Sequence, residues 1–167
     1  MVPICFGKVM AMDRYPTTPS GLKKMEGELK KLREVDRPAN VRAIEEAREH
    51  GDLSENAEYK AAKEEQSLIA GRLEYLEDRI SRANVIDPSK LSGDRVVFGA
   101  KVSLENLDTE EETIYRIVGD DEADIEKGTI SISSPIARGL IGKEAGDEVK
   151  VVTPAGSRKF EIVDVEF

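Results

Sequence analysis

Cysteine and aromatic residues are scarce in this chain of 167 residues, and tryptophan is absent. The single cysteine, Cys5, excludes an internal disulfide, so the sequence favours a reducing compartment, the cytoplasm. No apolar run approaches the ~20 residues that a membrane span requires. Aromatic residues make up 5% of the chain and charged residues 35%, a balance typical of exposed helices that bury only a narrow stripe. Residues 1–14 are predicted to be a disordered N-terminal extension.

Basic residues are also too few to balance the acids. The chain carries 25 Lys and Arg against 34 Asp and Glu, a formal net charge of −9. Most of the excess lies in residues 84–167, which hold 10 basic and 18 acidic side chains. Binding to a bare nucleic-acid backbone needs many Lys and Arg on phosphates. We therefore expect any action on nucleic acid to depend on a basic protein partner.

Two apolar stripes with alternating steps of three and four residues occupy the first half of the chain. The first comprises Leu22, Met25, Leu29 and Leu32, and the second comprises Ile69, Leu73, Leu76, Ile80 and Ala83. This spacing predicts two helices that pack as a coiled coil. If the stripes pair antiparallel, with Leu22 opposite Ala83, the chain turns at residues 52 and 53. Residues 15–85 are therefore predicted to form a long helical hairpin whose acidic tip lies near residues 51–56.

Pro38 interrupts the first predicted helix, which runs to about His50. A proline inside a helix removes one hydrogen bond and clashes with the preceding turn, so we expect a kink or a local loss of regular packing. Beyond it the stripe is expected to resume, after a change of phase, at Val41, Ile44 and Arg48. The second helix is expected to run from near Ser54 to about Ala83.

Asp52 and Glu55 at the turn have two interpretations. In the first they form a capping box, in which Asp52 caps the second helix and Glu55 lies three residues on. In the second they are a metal clamp, because carboxylates at i and i+3 can converge on a hard cation such as Mg²⁺. Two carboxylates are too few for tight binding, so a partner would have to complete the site. The two interpretations are compatible.

Four basic side chains, Arg48, His50, Lys60 and Lys63, flank the tip. They are either a solvated helix surface or a small basic patch that holds a nucleic-acid phosphate near the metal. His50 is the only histidine, and without a second histidine or a nearby cysteine it is poor evidence for zinc. Leu53 is either a packing residue of the turn or an exposed contact.

The second half of the chain changes to a period of two after a linker at residues 86–93. Strands are predicted at residues 95–104, with a possible break at Gly99, and at residues 112–118, 129–133, 148–152 and 159–165. Ser134 and Pro135 are predicted to begin a short helix that extends through Leu140. Residues 94–167 therefore read as a small antiparallel sheet with one short helix, and the whole chain as an α+β protein.

Three runs resemble the Gre family of bacterial transcript cleavage factors: residues 46–59 at the turn, and residues 115–124 and 134–143 in the second half. The resemblance extends from about Tyr15 to Phe167. It implies that residues 94–167 have a fold similar to the FK506-binding proteins and dock on bacterial RNA polymerase. Ser133, Ser134 and Pro135 would contact a coiled coil of the largest polymerase subunit, although the family often has Asp or Asn where this chain has Ser133.

The resemblance also implies roles for residues at the tip. The hairpin of a monomer would enter the secondary channel of the polymerase, where Asp52 and Glu55 match the family's two essential acids. They would share a second Mg²⁺ with the polymerase active site and position the attacking water, and no cofactor would be stably bound by the chain alone. Arg48 and Lys63 would contact the nascent RNA 3′ end, and Asn56 and Tyr59 would support the tip.

On this reading the chain is not itself an enzyme but stimulates the polymerase's own cleavage of backtracked RNA. Three alternatives remain: a channel-blocking inhibitor, a proline isomerase and a coiled-coil adaptor or chaperone. The intact acid pair argues against an inhibitor. An isomerase would need an aromatic pocket that this sequence does not clearly supply, and an adaptor would need no particular acids at the turn.

Overall fold

The computed structural model describes residues 14–52 and 55–167. The predicted N-terminal extension therefore lies outside the described residues except for Arg14, and so do Leu53 and Ser54. The described chain is of mixed α and β type, with a long helical arm followed by a five-stranded sheet. Within these residues, no helix has the length and apolar character to cross a membrane.

The helical arm has two limbs. The first limb is continuous and comprises helix α1 (Pro19–Lys31), a π-helical turn (Leu32–Asp36) and helix α2 (Arg37–Glu49). The second limb is helix α3 (Ala57–Ser81), which begins three residues later than the sequence suggested. The limbs run antiparallel, because residues near the turn contact each other across the two limbs, and so do residues far from the turn. Asn40 donates to the carbonyl of Ala62 (2.8 Å), and Arg33 forms an ion pair with Glu77 (2.7 Å).

The π-helical turn explains the predicted irregularity around Pro38. Pro38 has no N–H to donate to the carbonyl four residues before it. Just before it, the backbone N–H of Arg37 donates to the carbonyl of Leu32, five residues earlier, which is the hydrogen bond of a π-helix. The buried positions beyond the turn are Asn40, Ile44 and Ala47. The predicted change of phase is therefore present. Val41 and Arg48 were wrongly placed on the buried stripe, because both are exposed.

The strands of the sheet are β3 (Lys101–Asn106), β4 (Glu112–Val118), β5 (Thr129–Ser131), β6 (Glu148–Thr153) and β7 (Gly156–Glu166). Their order in the sheet is β5-β4-β3-β7-β6. The prediction of a wholly antiparallel sheet is wrong, because β5 pairs parallel with β4. The predicted strand from residue 95 is also too long: pairing begins at Lys101, after the left-handed Gly99, and Arg95 makes only an isolated bridge with Glu144.

The short helix α4 (Pro135–Leu140) lies against β6 and closes a core that belongs entirely to the second half of the chain. The fully buried side chains of this core include Val96, Leu104, Ile117, Leu140 and Ile162. Burial of such side chains stabilises the fold by roughly 1.5–3 kcal/mol each. Among the described residues, the hydrophobic core cluster of the sheet half thus contains no side chain from the arm.

Two further strands close the base of the arm. Strand β1 (Tyr15–Thr17) precedes α1 and pairs parallel with β2 (Ala83–Val85), which follows α3. The backbone N–H of Tyr15 donates to the carbonyl of Arg82 (3.0 Å), and that of Ile86 to the carbonyl of Thr17 (2.8 Å). These bonds fasten the entry and exit of the arm to each other next to the sheet.

Candidate functional site

The tip of the arm carries the two acids singled out in the sequence. Asp52 and Glu55 flank the undescribed pair Leu53 and Ser54, and both are exposed. Gly51 allows the chain to leave α2, because its φ of 118° is a conformation that other residues rarely adopt. The capping-box interpretation is wrong for the described helix, because α3 begins at Ala57 and its N-cap is Asn56. Neither acid is the N-cap of α3.

Asn56 braces the tip from both sides. Its side-chain oxygen accepts a hydrogen bond from the backbone N–H of Tyr59 (3.0 Å), which caps α3. Its side-chain amide donates to the carbonyl of Ala47 (2.6 Å), which lies in the last turn of α2. One side chain therefore bonds both limbs where the chain reverses. This fixes the ends of the segment that carries Asp52 and Glu55.

Two of the basic residues near the tip, Arg48 and Lys63, flank Tyr59. The Arg48 guanidinium stands over the ring of Tyr59, 5.9 Å from its centroid. Lys63 is one helical turn beyond Tyr59 on the same face of α3, and its ammonium donates to Gln66 (2.6 Å). Arg48, Tyr59 and Lys63 thus form a row on one side of the tip. His50 and Lys60 are exposed.

The chemistry of the tip suits a hard cation. Carboxylate oxygens are the ligands that Mg²⁺ prefers, and it usually retains several waters and substrate oxygens. Among the described residues, no group of three or more His, Cys, Asp or Glu side chains is placed to hold a metal ion. Asp52 and Glu55 would therefore need further ligands besides the His, Cys, Asp and Glu side chains of the described residues.

The tip lies far from the sheet half. On the α3 side, the arm contacts the sheet half through Tyr75 and Arg79, whose partner is Asp121. From Arg79 to the start of α3 at Ala57 the helix rises roughly 33 Å at ~1.5 Å per residue. The acids are thus at the free end of a slender arm, not packed against the sheet.

The predicted docking residues lie at the start of α4. The Ser134 side chain caps this helix by accepting from the backbone N–H of Ala137 (3.2 Å), and Pro135 is exposed. The Ser133 hydroxyl donates to the carboxylate of Asp120 (2.7 Å), which also accepts from Ser131. Hydrogen bonds from Ser131 and Ser133, with help from Arg79, hold the pKa of Asp120 below its usual value despite partial desolvation.

Sequence reasoning missed the contact between the arm and the loop that follows β4. The acidic residues 120–122 face Arg79, Thr17 and Thr18 at the base of the arm. Three adjacent acids in a loop indicate a contact with basic residues or hydrogen-bond donors, but these partners are distant in the sequence. Periodicity and spacing could not pair them.

Comparison with known proteins gives matches over nearly the whole chain. One family model, described as "Transcription elongation factor, N-terminal", matches residues 15–85. A second, "Transcription elongation factor, GreA/GreB, C-term", matches residues 91–167. Proteins named "Transcription elongation factor GreA" from Jannaschia sp. and Rhodospirillum rubrum are 60% and 58% identical over 156 residues, covering 93% of this chain and 99% of theirs. Among solved structures, GreA factor homolog 1 (Gfh1) of Thermus thermophilus matches with 28% identity and a TM-score of 0.43, covering 93% of this chain and 100% of that one.

Proposed function

Because this chain belongs to the GreA/GreB family of transcription elongation factors, we propose that it stimulates the cleavage of backtracked RNA by bacterial RNA polymerase. The arm enters the secondary channel of the polymerase, and the polymerase itself cleaves the RNA. The chain is then a transcription elongation factor that acts as a monomer in the cytoplasm and is not an enzyme on its own. The observation that carries the proposal is the exposure of Asp52 and Glu55 at the free end of the arm.

The finer architecture belongs to the same proposal. Residues 15–85 act as an antiparallel coiled-coil hairpin, residues 86–93 as a linker, and residues 94–167 as an FKBP-like docking domain. Ser133, Ser134 and Pro135 contact the coiled coil of the largest polymerase subunit. The exposed Pro135 next to the capped start of α4 supports this surface, because it presents a rigid segment to a partner.

Asp52 and Glu55 would hold a Mg²⁺ ion that is shared with the polymerase active site. Two metal ions stabilise the attacking and leaving oxygens of an in-line displacement at phosphorus. The part played by this chain is placement. Asn56 bonds α2 and α3 where the chain turns, so the two carboxylates are presented from a braced segment. Misplacement of a reacting group by about 1 Å can cost ~10²-fold in rate.

The row of Arg48, Tyr59 and Lys63 gives the RNA a place beside the metal. An arginine that stands over an aromatic ring is held in direction yet keeps donors for a phosphate. We expect Arg48 and Lys63 to contact the backbone of the displaced RNA 3′ end, with Tyr59 supporting Arg48. Because the rest of the chain is acidic, we expect it to bind RNA weakly on its own. The polymerase channel would then bring this patch close to the RNA.

The deciding experiment measures RNA cleavage in a backtracked elongation complex with Asp52→Asn and Glu55→Gln variants. Each variant keeps the shape of the side chain and removes its charge. We expect stimulated cleavage to fall at least ~10²-fold while binding to polymerase persists. The matched control is Glu58→Gln, which neutralises an exposed acid in the first turn of α3. If both tip variants stimulate cleavage as the unmodified protein does, the proposal is wrong.

A further inference from the structure

One carboxylate joins the sheet half to the start of the helical arm. Glu122, in the loop after β4, accepts through Oε2 from the backbone N–H of Thr18 (2.9 Å) and from the hydroxyl of Thr17 (3.0 Å). Its Oε1 accepts from the hydroxyl of Thr18. Both threonines are buried, with 4% and 6% of their surfaces exposed. We call this set, Glu122 with Thr17 and Thr18, the base contact.

The base contact acts directly on the geometry of α1. Thr18 is the N-cap of α1, and its hydroxyl oxygen accepts from the backbone N–H of Gly21 (3.1 Å). The same hydroxyl donates to Glu122, so its direction is set by the sheet half. A carboxylate at a helix N-terminus is also favoured by the helix dipole. The first turn of the arm is thus held by a side chain from the other half of the molecule.

Backbone segments from the two halves meet closely here, with little space between them. A methyl group added at Gly119 would lie 2.6 Å from the carbonyl oxygen of Pro16, which is backbone and cannot easily withdraw. A methyl group at Gly21 would lie 2.0 Å from the Glu122 carboxyl carbon. The backbone N–H of Gly119 also donates to Glu122 (3.3 Å). Glycine at position 119 is therefore what allows the two backbones to approach closely, and glycine at position 21 leaves room for the Glu122 carboxylate.

Arg79 provides a second attachment on the other limb of the arm. Its guanidinium lies 3.7 Å from the centroid of the Tyr15 ring and forms an ion pair with Asp121 (3.4 Å). Tyr75 donates its hydroxyl to the same Asp121 (2.6 Å). Only 15% of the Arg79 side chain is exposed. The loop of residues 119–122 therefore contacts α1 through Glu122 and α3 through Asp121.

Because the arm is long, a small rotation at its base moves the tip by a large distance. The tip is roughly 33 Å along the helix from Arg79 at ~1.5 Å per residue. A rotation of about 2° at the base then moves the acids by ~1 Å, the scale on which rates change by ~10²-fold. Two attachments on different limbs resist such a rotation, whereas one alone would allow pivoting.

We infer that Glu122 is a positioning residue that fixes the direction of the arm relative to the docking half and thereby places Asp52 and Glu55. This inference deepens the proposed function and rests on it for its effect on cleavage. It makes a separate structural claim that does not depend on cleavage. Without the base contact, the arm samples a wider range of angles against the sheet.

The structural claim is tested by measuring a distance across the molecule. Spin labels are placed at Lys60→Cys near the tip and at Lys150→Cys on β6, both exposed, in a chain that also carries Cys5→Ser. We expect one narrow distance distribution with Glu122 present. Glu122→Ala should broaden it by ~3 Å, which corresponds to about 5° of added rotation over the length of the arm. Gly119→Ala should broaden it as well, by wedging the two backbones apart.

Two variants serve as controls. Glu122→Gln can still accept from Thr17 and Thr18 and can donate to the Thr18 hydroxyl oxygen, so we expect it to keep the narrow distribution. Glu126→Ala removes an exposed carboxylate four residues away and should change nothing. A Glu122→Ala distribution as narrow and as centred as that of the unmodified protein would overturn the inference.

The effect on cleavage separates positioning from docking. At saturating concentration, unlabelled Glu122→Ala should stimulate RNA cleavage about tenfold less than the unmodified protein, with half-maximal concentration unchanged within ~2-fold. Rescue by Glu122→Gln is expected. Unchanged maximal stimulation by Glu122→Ala would contradict the inference. If the unmodified protein stimulates no cleavage, the proposed function fails, and the distance measurement still decides whether Glu122 fixes the arm.

Discussion

At the scale of single residues, Asp120 links the proposed docking segment, residues 133–135, to the arm. Its carboxylate accepts hydrogen bonds from Ser131 and Ser133, and Arg79 of α3 lies 3.9 Å away. Ser133 directly precedes the proposed docking pair. Its hydroxyl is therefore engaged within the chain, which gives Ser133 a role in shaping the docking segment besides any contact with a partner.

The low pKa of Asp120 predicts how Ser133→Ala affects stability as pH changes. Hydrogen bonds to the carboxylate lower this pKa from the usual 3.8, so loss of the Ser133 donor should raise it. A group whose folded pKa is depressed stabilises the fold above its unfolded pKa and loses that effect as pH falls through the folded pKa. Ser133→Ala should therefore lower the free energy of unfolding at pH 7. The decrease should be at most ~1 kcal/mol, because Ser133 and Asp120 are solvent-exposed.

Urea denaturation at pH 7 and in acid checks this expectation, together with NMR titration of the Asp120 carboxyl carbon. The difference between Ser133→Ala and the unmodified protein should disappear in acid, where Asp120 is protonated in both. Ser157→Ala, at an exposed serine of β7, is the control and should leave the Asp120 pKa unchanged. An Asp120 pKa that is unchanged by Ser133→Ala would contradict the assigned cause.

At the scale of elements, the π-helical turn sets the phase of the first limb. A regular alternation of three and four continued from Leu32 would bury residues 36, 39, 43 and 46. The structure instead buries residues 40, 44 and 47, each one position later. One extra residue in the wide turn accounts for this shift. The turn therefore keeps α2 facing α3 after the irregularity at Pro38.

A deletion tests this account of the turn. A variant that lacks Val35 and carries Pro38→Ala removes the extra residue and the proline that opposes a regular helix. The buried faces of α1 and α2 should stay aligned, so we expect the free energy of unfolding to remain within ~1 kcal/mol of the original. Circular dichroism during thermal and urea unfolding measures it.

The control is a deletion that shifts the buried face of α2 instead of keeping it aligned with that of α1. Deletion of Glu45 together with Pro38→Ala would move Arg48 into the buried position of Ala47. Burying an unpaired charge should cost more than ~2 kcal/mol. Equal stability of the two deletion variants would show that the wide turn does not set the phase.

Regular periodicity was enough to predict the two limbs and the last two strands, and the cap residue and proline at Ser134 and Pro135 predicted the short helix. The start of α3 was placed too early because Asp52 and Glu55 have the spacing of a cap, whereas Asn56 can cap α3 and bond Ala47 at once. The parallel pairing of β5 and the partners of Glu122 depend on contacts between distant segments. A one-dimensional pattern contains no information about such pairings.

At the scale of the whole molecule, the two halves have separate sources of stability. The core cluster of the sheet half runs from Val96 to Ile162 and, in the part of the chain that the structure describes, includes no residue of the arm. A domain with its own core can in principle fold alone. The two halves also carry separate proposed tasks, since the proposed docking residues lie in the sheet half and the tip acids lie in the arm.

This separation predicts the behaviour of a fragment comprising residues 86–167. It should fold, bind polymerase within ~10-fold of the affinity of the full chain, and compete with the full chain, because the proposed docking surface is complete. It should stimulate no cleavage, since it lacks Asp52 and Glu55. Its NMR spectrum reports folding, and titration into a cleavage assay that contains the full-length protein reports competition.

The fragment carrying Pro135→Ala isolates the docking contact from the fold. Pro135 is exposed and follows the Ser134 cap, so its loss should leave the helix and the core intact. We expect this fragment to remain folded and to compete at least ~10-fold less well, because one well-placed interface side chain often contributes more than ~1 kcal/mol to binding. If the unmodified fragment is folded and still does not compete, the main polymerase contact lies on the arm, and docking by the sheet half is wrong.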